Sequence, residues 1–158
     1  MYKLTEETKT IGSITLHRIE LIKDCRWGSK GDKGGWIQKE INLQQGAWVS
    51  GNAKVYGDAW LYGDAKVYGD ARVYGNAWVS GDAQVYGDAW EFSPLQIQGT
   101  KHYFNICKIG YIKIGCIEKS IDDWEKQFEQ IGKEKGYTKE QINEYKLYIQ
   151  LAKKLWRN

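Results

Sequence analysis

GDAWLYGDAKVYGDARVYGNAWVSGDAQVYGDAW, residues Gly57 to Trp90, repeats one six-residue unit. A large aliphatic residue recurs at Leu61, Val67, Val73, Val79 and Val85. Four residues after each comes a small one: Ala65, Ala71, Ala77, Ala83 and Ala89. The same two positions extend upstream through Ile37, Leu43, Val49 and Val55, with Ile41, Ala47, Ala53 and Ala59. Period six does not fit an amphipathic helix, whose stripe recurs every three to four residues. A single hexapeptide cannot bury its two apolar residues, but stacked copies can, so the pattern predicts a solenoid. Gly followed by Asp or Asn supplies the corners, where the backbone torsion is awkward for other residues.

This pattern resembles the hexapeptide repeat of left-handed parallel β-helices. In that family three hexapeptides make a triangular coil of eighteen residues, with the aliphatic and small residues inside. The resemblance is strong from Val49 to Ala89 and looser from Ile37, and it implies slightly more than three coils. The left hand comes from the family and is an exception to the usual right-handed crossover.

The expected fold is mainly β: a short left-handed parallel β-helix over 35–92, a β cap over 1–34, and a hairpin with two α-helices over 93–158. Solenoid ends expose unpaired edges and need caps. Alternation around Ser13 to Ile19 predicts a cap strand, and GSKGDKGGWI, Gly28 to Ile37, turns the chain into the first coil. Pro94 closes the coil. HYFNICKIGYIKIGCI, residues 102–117, predicts two strands around Gly110, with Ile112, Ile114 and Cys116 on one buried face. Ser120 with Asp123 opens a helix carrying Ile121, Trp124, Phe128 and Ile131, and ending between Gly132 and Gly136. Thr138 with Gln141 opens a second, with Ile142, Tyr145, Ile149, Ala152 and Trp156. Both stripes want a partner surface.

Eighteen residues per coil align the outward side chains in ladders. On the first face Trp36, Lys54, Arg72 and Trp90 run beside Gln38, Tyr56, Tyr74 and Phe92. On the second, Trp60 lies over Trp78 and Tyr62 over Ser80. On the third, Trp48, Lys66 and Gln84 run beside Ser50, Tyr68 and Tyr86. Stacked aromatics stabilise a sheet, but aromatics on all three faces point to interfaces or binding. Trp48, Trp60, Tyr62, Tyr68, Trp78, Tyr86, Trp124 and Trp156 are candidate interface residues for a homodimer or homotrimer. Two cations among aromatic planes suit a nucleotide-like anion, which makes Trp36, Lys54, Tyr56, Arg72, Tyr74 and Trp90 the candidate ligand-binding set. The corner carboxylates read as turn caps; no metal and no cofactor is expected.

Composition frames these expectations. With 42% hydrophobic and 27% charged residues the chain reads as folded. A net charge of +3, with a mildly basic tail and a mildly acidic repeat, is too small to predict nucleic-acid binding. Met1 to Glu20 holds no signal-peptide-like apolar run, and no stretch is long enough to span a membrane. Three cysteines, an odd count without metal spacing, suit a reducing compartment. A cytoplasmic protein is expected.

Many left-handed β-helix proteins are acyltransferases that use a His from a coil or loop as general base. Here no hexapeptide holds His, and no loop interrupts Val49 to Ala89. The two histidines, His17 and His102, lie in the cap regions, and His102 is only a weak catalytic candidate. The chain also resembles small phage- and prophage-encoded hexapeptide-repeat proteins, through GDKGGWI (Gly31 to Ile37), GNAKVYGDA from Gly51, and IKIGCIEKSIDDWEKQF (Ile112 to Phe128). That resemblance implies action in the cytoplasm of an infected bacterial cell. The expectation is therefore a non-enzymatic homo-oligomeric binding protein that inhibits a host immune protein or sequesters a nucleotide signal. An acyl-CoA-dependent acyltransferase and a structural virion component are the alternatives.

Overall fold

The computed structural model describes residues 1–156 and divides the chain into two compact units, Met1–Pro94 and Leu95–Asn158. The first opens with an antiparallel hairpin, β1 (Tyr2–Ile11) and β2 (Ile14–Leu21), followed by the entry strand β3 (Lys33–Ile37). Eight very short strands follow: β4 (Trp48–Val49), β5 (Lys54–Val55), β6 (Trp60–Leu61), β7 (Lys66–Tyr68), β8 (Arg72–Val73), β9 (Trp78–Val79), β10 (Gln84–Tyr86) and β11 (Ala89–Trp90).

These strands stack as a parallel β-solenoid of about three coils, with one sheet per face. The order is β3-β5-β8-β11 on the first face, β6-β9 on the second and β4-β7-β10 on the third. The register is eighteen residues: Ile37 over Val55 over Val73, Val49 over Val67 over Val85, and Leu61 over Val79. The interior is the expected one. Val49, Val55, Leu61, Val67, Val73, Val79 and Val85 are fully buried, with Ala47 to Ala83 of the small set beside them. The seven corner glycines from Gly51 to Gly87 all adopt φ between 58° and 75°, a region closed to most side chains.

The repeat departs from its register at both ends. Ile41 was expected inside but is exposed. A 3-10 turn, Glu40–Asn42, replaces the first corner and brings Asn42 in instead. The Asn42 amide donates to Ala59 O (2.8 Å) and Gly57 O (3.2 Å) and accepts from Lys39 N (2.9 Å), so it satisfies backbone groups that a coil below would have paired. At the other end Ala89 was expected inside and Trp90 outside. Ala89 instead pairs with Arg72 and is exposed, while Trp90 pairs with Val73 and is 2% exposed. One residue is skipped at Gly87–Asp88, the spacing falls to seventeen, and each side chain changes face.

The hairpin extends the first sheet, because β2 runs antiparallel to β3 with Arg18 opposite Trp36 and His17 opposite Ile37. The lower edge of the first coil is thereby paired with its own chain.

The second unit contains a four-stranded antiparallel sheet in chain order: β12 (Gln96–Gln98), β13 (Tyr103–Lys108), β14 (Tyr111–Ile114) and β15 (Ile117–Ser120). The expected hairpin around Gly110 forms its centre, and a further strand lies on either side. Cys116 was expected in the core with Ile112 and Ile114 but is exposed. β14 ends at Ile114 and Gly115 turns the chain at φ 57°, which ends the alternation. Helices α1 (Ile121–Glu134) and α2 (Lys139–Leu155) follow. Ser120 and Thr138 accept from Asp123 N and Gln141 N as N-caps. Trp124, Phe128, Ile142, Tyr145 and Ile149 are buried on the facing sides.

Candidate functional site

The outer faces of the solenoid differ in how far the chain covers them. On the first face the hairpin curls over the aromatic ladder. Leu16, Ile11 and Ile14 pack on Trp36, Tyr56 and Tyr74. Tyr56 and Tyr74 stack with centroids 5.3 Å apart and planes 5° apart. Trp36 is 4% exposed and lies beneath two hairpin cations, Lys9 Nζ at 4.5 Å and the Arg18 guanidinium at 5.1 Å from its ring centre.

The candidate ligand set is therefore split. Trp36 and Tyr56 are covered, Trp90 is in the interior, and Lys54, Arg72 and Tyr74 stay at least partly accessible. Lys9 and Arg18 join Lys54 and Arg72, so the outer strip holds four cations. Sequence reasoning missed the first two, because only the curl and the Leu4/Thr8 bulge of the hairpin bring them there. Burial pushes the Lys54 ammonium below its usual range, and Lys9 and Arg72 add to this while Asp70 opposes it. Glu7 is the nearby counter-charge: its carboxylate accepts from Lys33 Nζ at 2.8 Å and lies 3.9 Å from Arg18. Arg18 Nε and Trp36 Nε1 are buried donors without an acceptor.

On the third face the loop after β2 covers the first coil. Trp27 donates to Gly46 O (2.6 Å), Arg26 pairs with Asp64 (2.8 Å), and Lys66 lies over both Trp27 and Tyr68. Trp48 is buried there, while Tyr68 and Tyr86 stack at 5.1 Å and stay half-exposed.

On the second face the N-terminal segment reaches the Glu40–Asn42 turn, where the Tyr2 hydroxyl donates to Glu40 O (3.0 Å) and Leu43 O (2.9 Å). Trp60 meets Trp78 edge-on at 5.2 Å and Tyr62 at 5.3 Å. Trp78 is 54% exposed and Ile41, displaced by the 3-10 turn, is 57% exposed. A groove runs between them, with Lys39 and Asp58 paired at 3.2 Å on its rim. Of the remaining interface candidates, Trp124 is buried inside the second unit, where its indole donates to Ile112 O, and Trp156 is half-buried.

His17 Nδ1 lies 3.3 Å from Thr5 O. His102, in the second unit, has Nδ1 2.5 Å from the Tyr137 hydroxyl. Its orienting partner is thus a phenol and not the carboxylate that commonly orients a general base. Among the described residues no group of three or more His, Cys, Asp or Glu side chains is placed to hold a metal ion.

Comparison with protein families matches residues 65–81 to the YdcK beta solenoid repeat, close to one full coil. The match supports a β-solenoid repeat and says nothing of the flanking segments. No curated protein matches the chain.

Proposed function

We propose that this chain is a non-enzymatic binding protein that works as a homo-oligomer, with two copies meeting across the second solenoid face. The observation that carries the reading is the Trp60–Tyr62–Trp78 cluster on the second face, with Trp78 54% exposed beside exposed Ile41. A second copy suits this groove because its rim has both signs of charge, Lys39 and Asp58, as a two-fold self-pairing requires. The resemblance to phage-encoded repeat proteins supports a target in a bacterial host, either a defence protein or a nucleotide signal. The four cations of the first face favour the nucleotide, since Lys9, Arg18, Lys54 and Arg72 gather positive charge there.

Native mass spectrometry of the full chain tests both parts. The wild type should be a dimer, and Trp78→Asp should be monomeric at the same concentration with an unchanged melting profile. A wild-type monomer up to about 100 μM, near the weak limit of specific pairing, overturns self-association. Added ADP should stay bound to the wild type. It should be lost from Lys54→Ala/Arg72→Ala; equal retention by that variant refutes the cationic strip as its site.

A further inference from the structure

Within the second unit, the β14–β15 turn and α1 leave a space between them that no side chain fills. Its floor is Ile114, Trp124 and Phe128, all buried; Ile117 and Ile131 form its walls; Cys116 and Lys135 stand exposed at its mouth. The cavity measures about 220 Å³. An apolar cavity of about 150 Å³ admits a benzene ring, and sites for drug-sized ligands begin near about 300 Å³. The occupant that fits has on the order of ten non-hydrogen atoms.

One wall is polar and rigidly held. His102 lines the cavity, and three contacts fix it. Its Nδ1 meets Tyr137 Oη at 2.5 Å, its backbone N–H donates to Tyr145 Oη at 2.6 Å, and the Tyr145 hydroxyl donates back to His102 O. Gly115 leaves room for the ring, because a Cβ there would sit 3.1 Å from His102 Cδ2. Burial raises the Tyr137 pKa, so the phenol keeps its proton and can donate to Nδ1. When that phenol donates to Nδ1, the imidazole proton sits on Nε2.

No carboxylate lines the cavity, and Lys135 brings a full positive charge to its mouth. The α1 C-terminus adds partial negative charge there, but Ile131 O and Gly132 O already accept from Lys135 N and Tyr137 N at 2.9 Å each.

We propose that this cavity binds a small apolar carboxylic acid of about eight carbons. The tail lies among Ile114, Trp124, Phe128 and Ile131, and the carboxylate meets Lys135 and His102 Nε2–H. The site lies within the second unit.

Octanoate on the full chain is the probe, read as protection of Cys116 from maleimide by peptide mass mapping. Cys25, half-buried in the other unit, is the internal control. Cys107 does not compete, because it is buried and its thiol is pushed up to about 12. Octanoate should slow Cys116 alkylation saturably and leave Cys25 unchanged. Octanol should need about tenfold more for the same protection, the usual loss when a charge-assisted hydrogen bond is removed. Octylamine should not protect. Lys135→Gln should weaken octanoate about tenfold and leave octanol unaffected. Ile131→Trp, which fills the cavity, should abolish protection by either.

The proposal is overturned if millimolar octanoate gives no protection, if both cysteines slow equally, or if octanol or octylamine matches octanoate. Unchanged octanoate protection in Lys135→Gln also overturns it, and that variant stands even if Ile131→Trp fails to fold.

Discussion

Trp90→Ala should cost the solenoid about 3–5 kcal/mol, as large aromatic-to-alanine changes in a core do. Trp90 is 2% exposed and pairs with Val73 at the last aliphatic position of the first face. Ile37, Val55 and Val73 occupy that level in the preceding coils. The end of a solenoid has no further coil above it, so a larger side chain is needed to close the interior from solvent. Removing the indole opens the terminal coil to water and leaves Val73 and its neighbours without packing partners. Phe92→Ala is the control. Phe92 is 74% exposed, so its removal should stay within about 0.5 kcal/mol.

The measurement is a denaturant titration followed by tryptophan fluorescence. Six of the eight tryptophans lie in the first unit, so this signal reports mainly on the solenoid. The far-UV helical signal reports on α1 and α2 of the second unit. A chain of two units need not unfold in one step, and the two signals separate the transitions. Equal losses in Trp90→Ala and Phe92→Ala would show that Trp90 does not close the core.

The same residue shows what was legible in the sequence and what was not. Strict period six fixes which residues face inward as long as every coil has the same length, and from Ala47 to Val85 it does. One skipped residue at Gly87–Asp88 reverses the face of everything after it, and nothing in GDAWEF distinguishes that slip from another regular hexapeptide. Ile41 fails for a similar reason: the first coil is irregular at the Glu40–Asn42 turn, and Asn42 enters the core to pair the Gly57 and Ala59 carbonyls of the next coil.

The second-face cluster was legible because Trp60 and Trp78 are eighteen apart within the regular region. The first face was read only as a ladder of outward side chains. Its ladder was placed correctly up to Arg72, but the hairpin that covers Trp36 and Tyr56 is joined by tertiary packing that no periodicity records. In the second unit, capping residues located both helices. Cys116 was misplaced because period-two alternation was carried through Gly115, where the chain turns.

Gly35→Ala should destabilise the solenoid by about 3 kcal/mol or more, at the upper end of overpacking costs. Gly34 and Gly35 stand in the GDKGGWI entry segment, and both are buried in β3. Neither has a positive φ, so torsion does not require glycine here; the space around them does. A Cβ on Gly35 would lie 2.5 Å from Val49 Cγ1 and 2.7 Å from Ala53 O. Ala53 O is the acceptor for Trp36 N–H at 2.9 Å, the bond that registers β3 on β5. Moving that carbonyl to admit a methyl group therefore breaks the first rung of the first face. Gly34 meets the same limit on its other side, with Ile19 Cγ1, Trp48 Cζ2 and Val49 O each 2.6 Å from a Cβ.

The paired glycines let the entry strand β3 lie flat between β2 of the hairpin and β5 of the next coil. Gly12→Ala separates this effect from backbone strain, since Gly12 has φ 58° and open space around its Cβ position. Gly12→Ala should lower the fluorescence midpoint by a smaller amount, set by left-handed torsion alone at about 1–2 kcal/mol. If Gly35→Ala lowers it no further than Gly12→Ala does, close approach at the entry strand is not what requires glycine there.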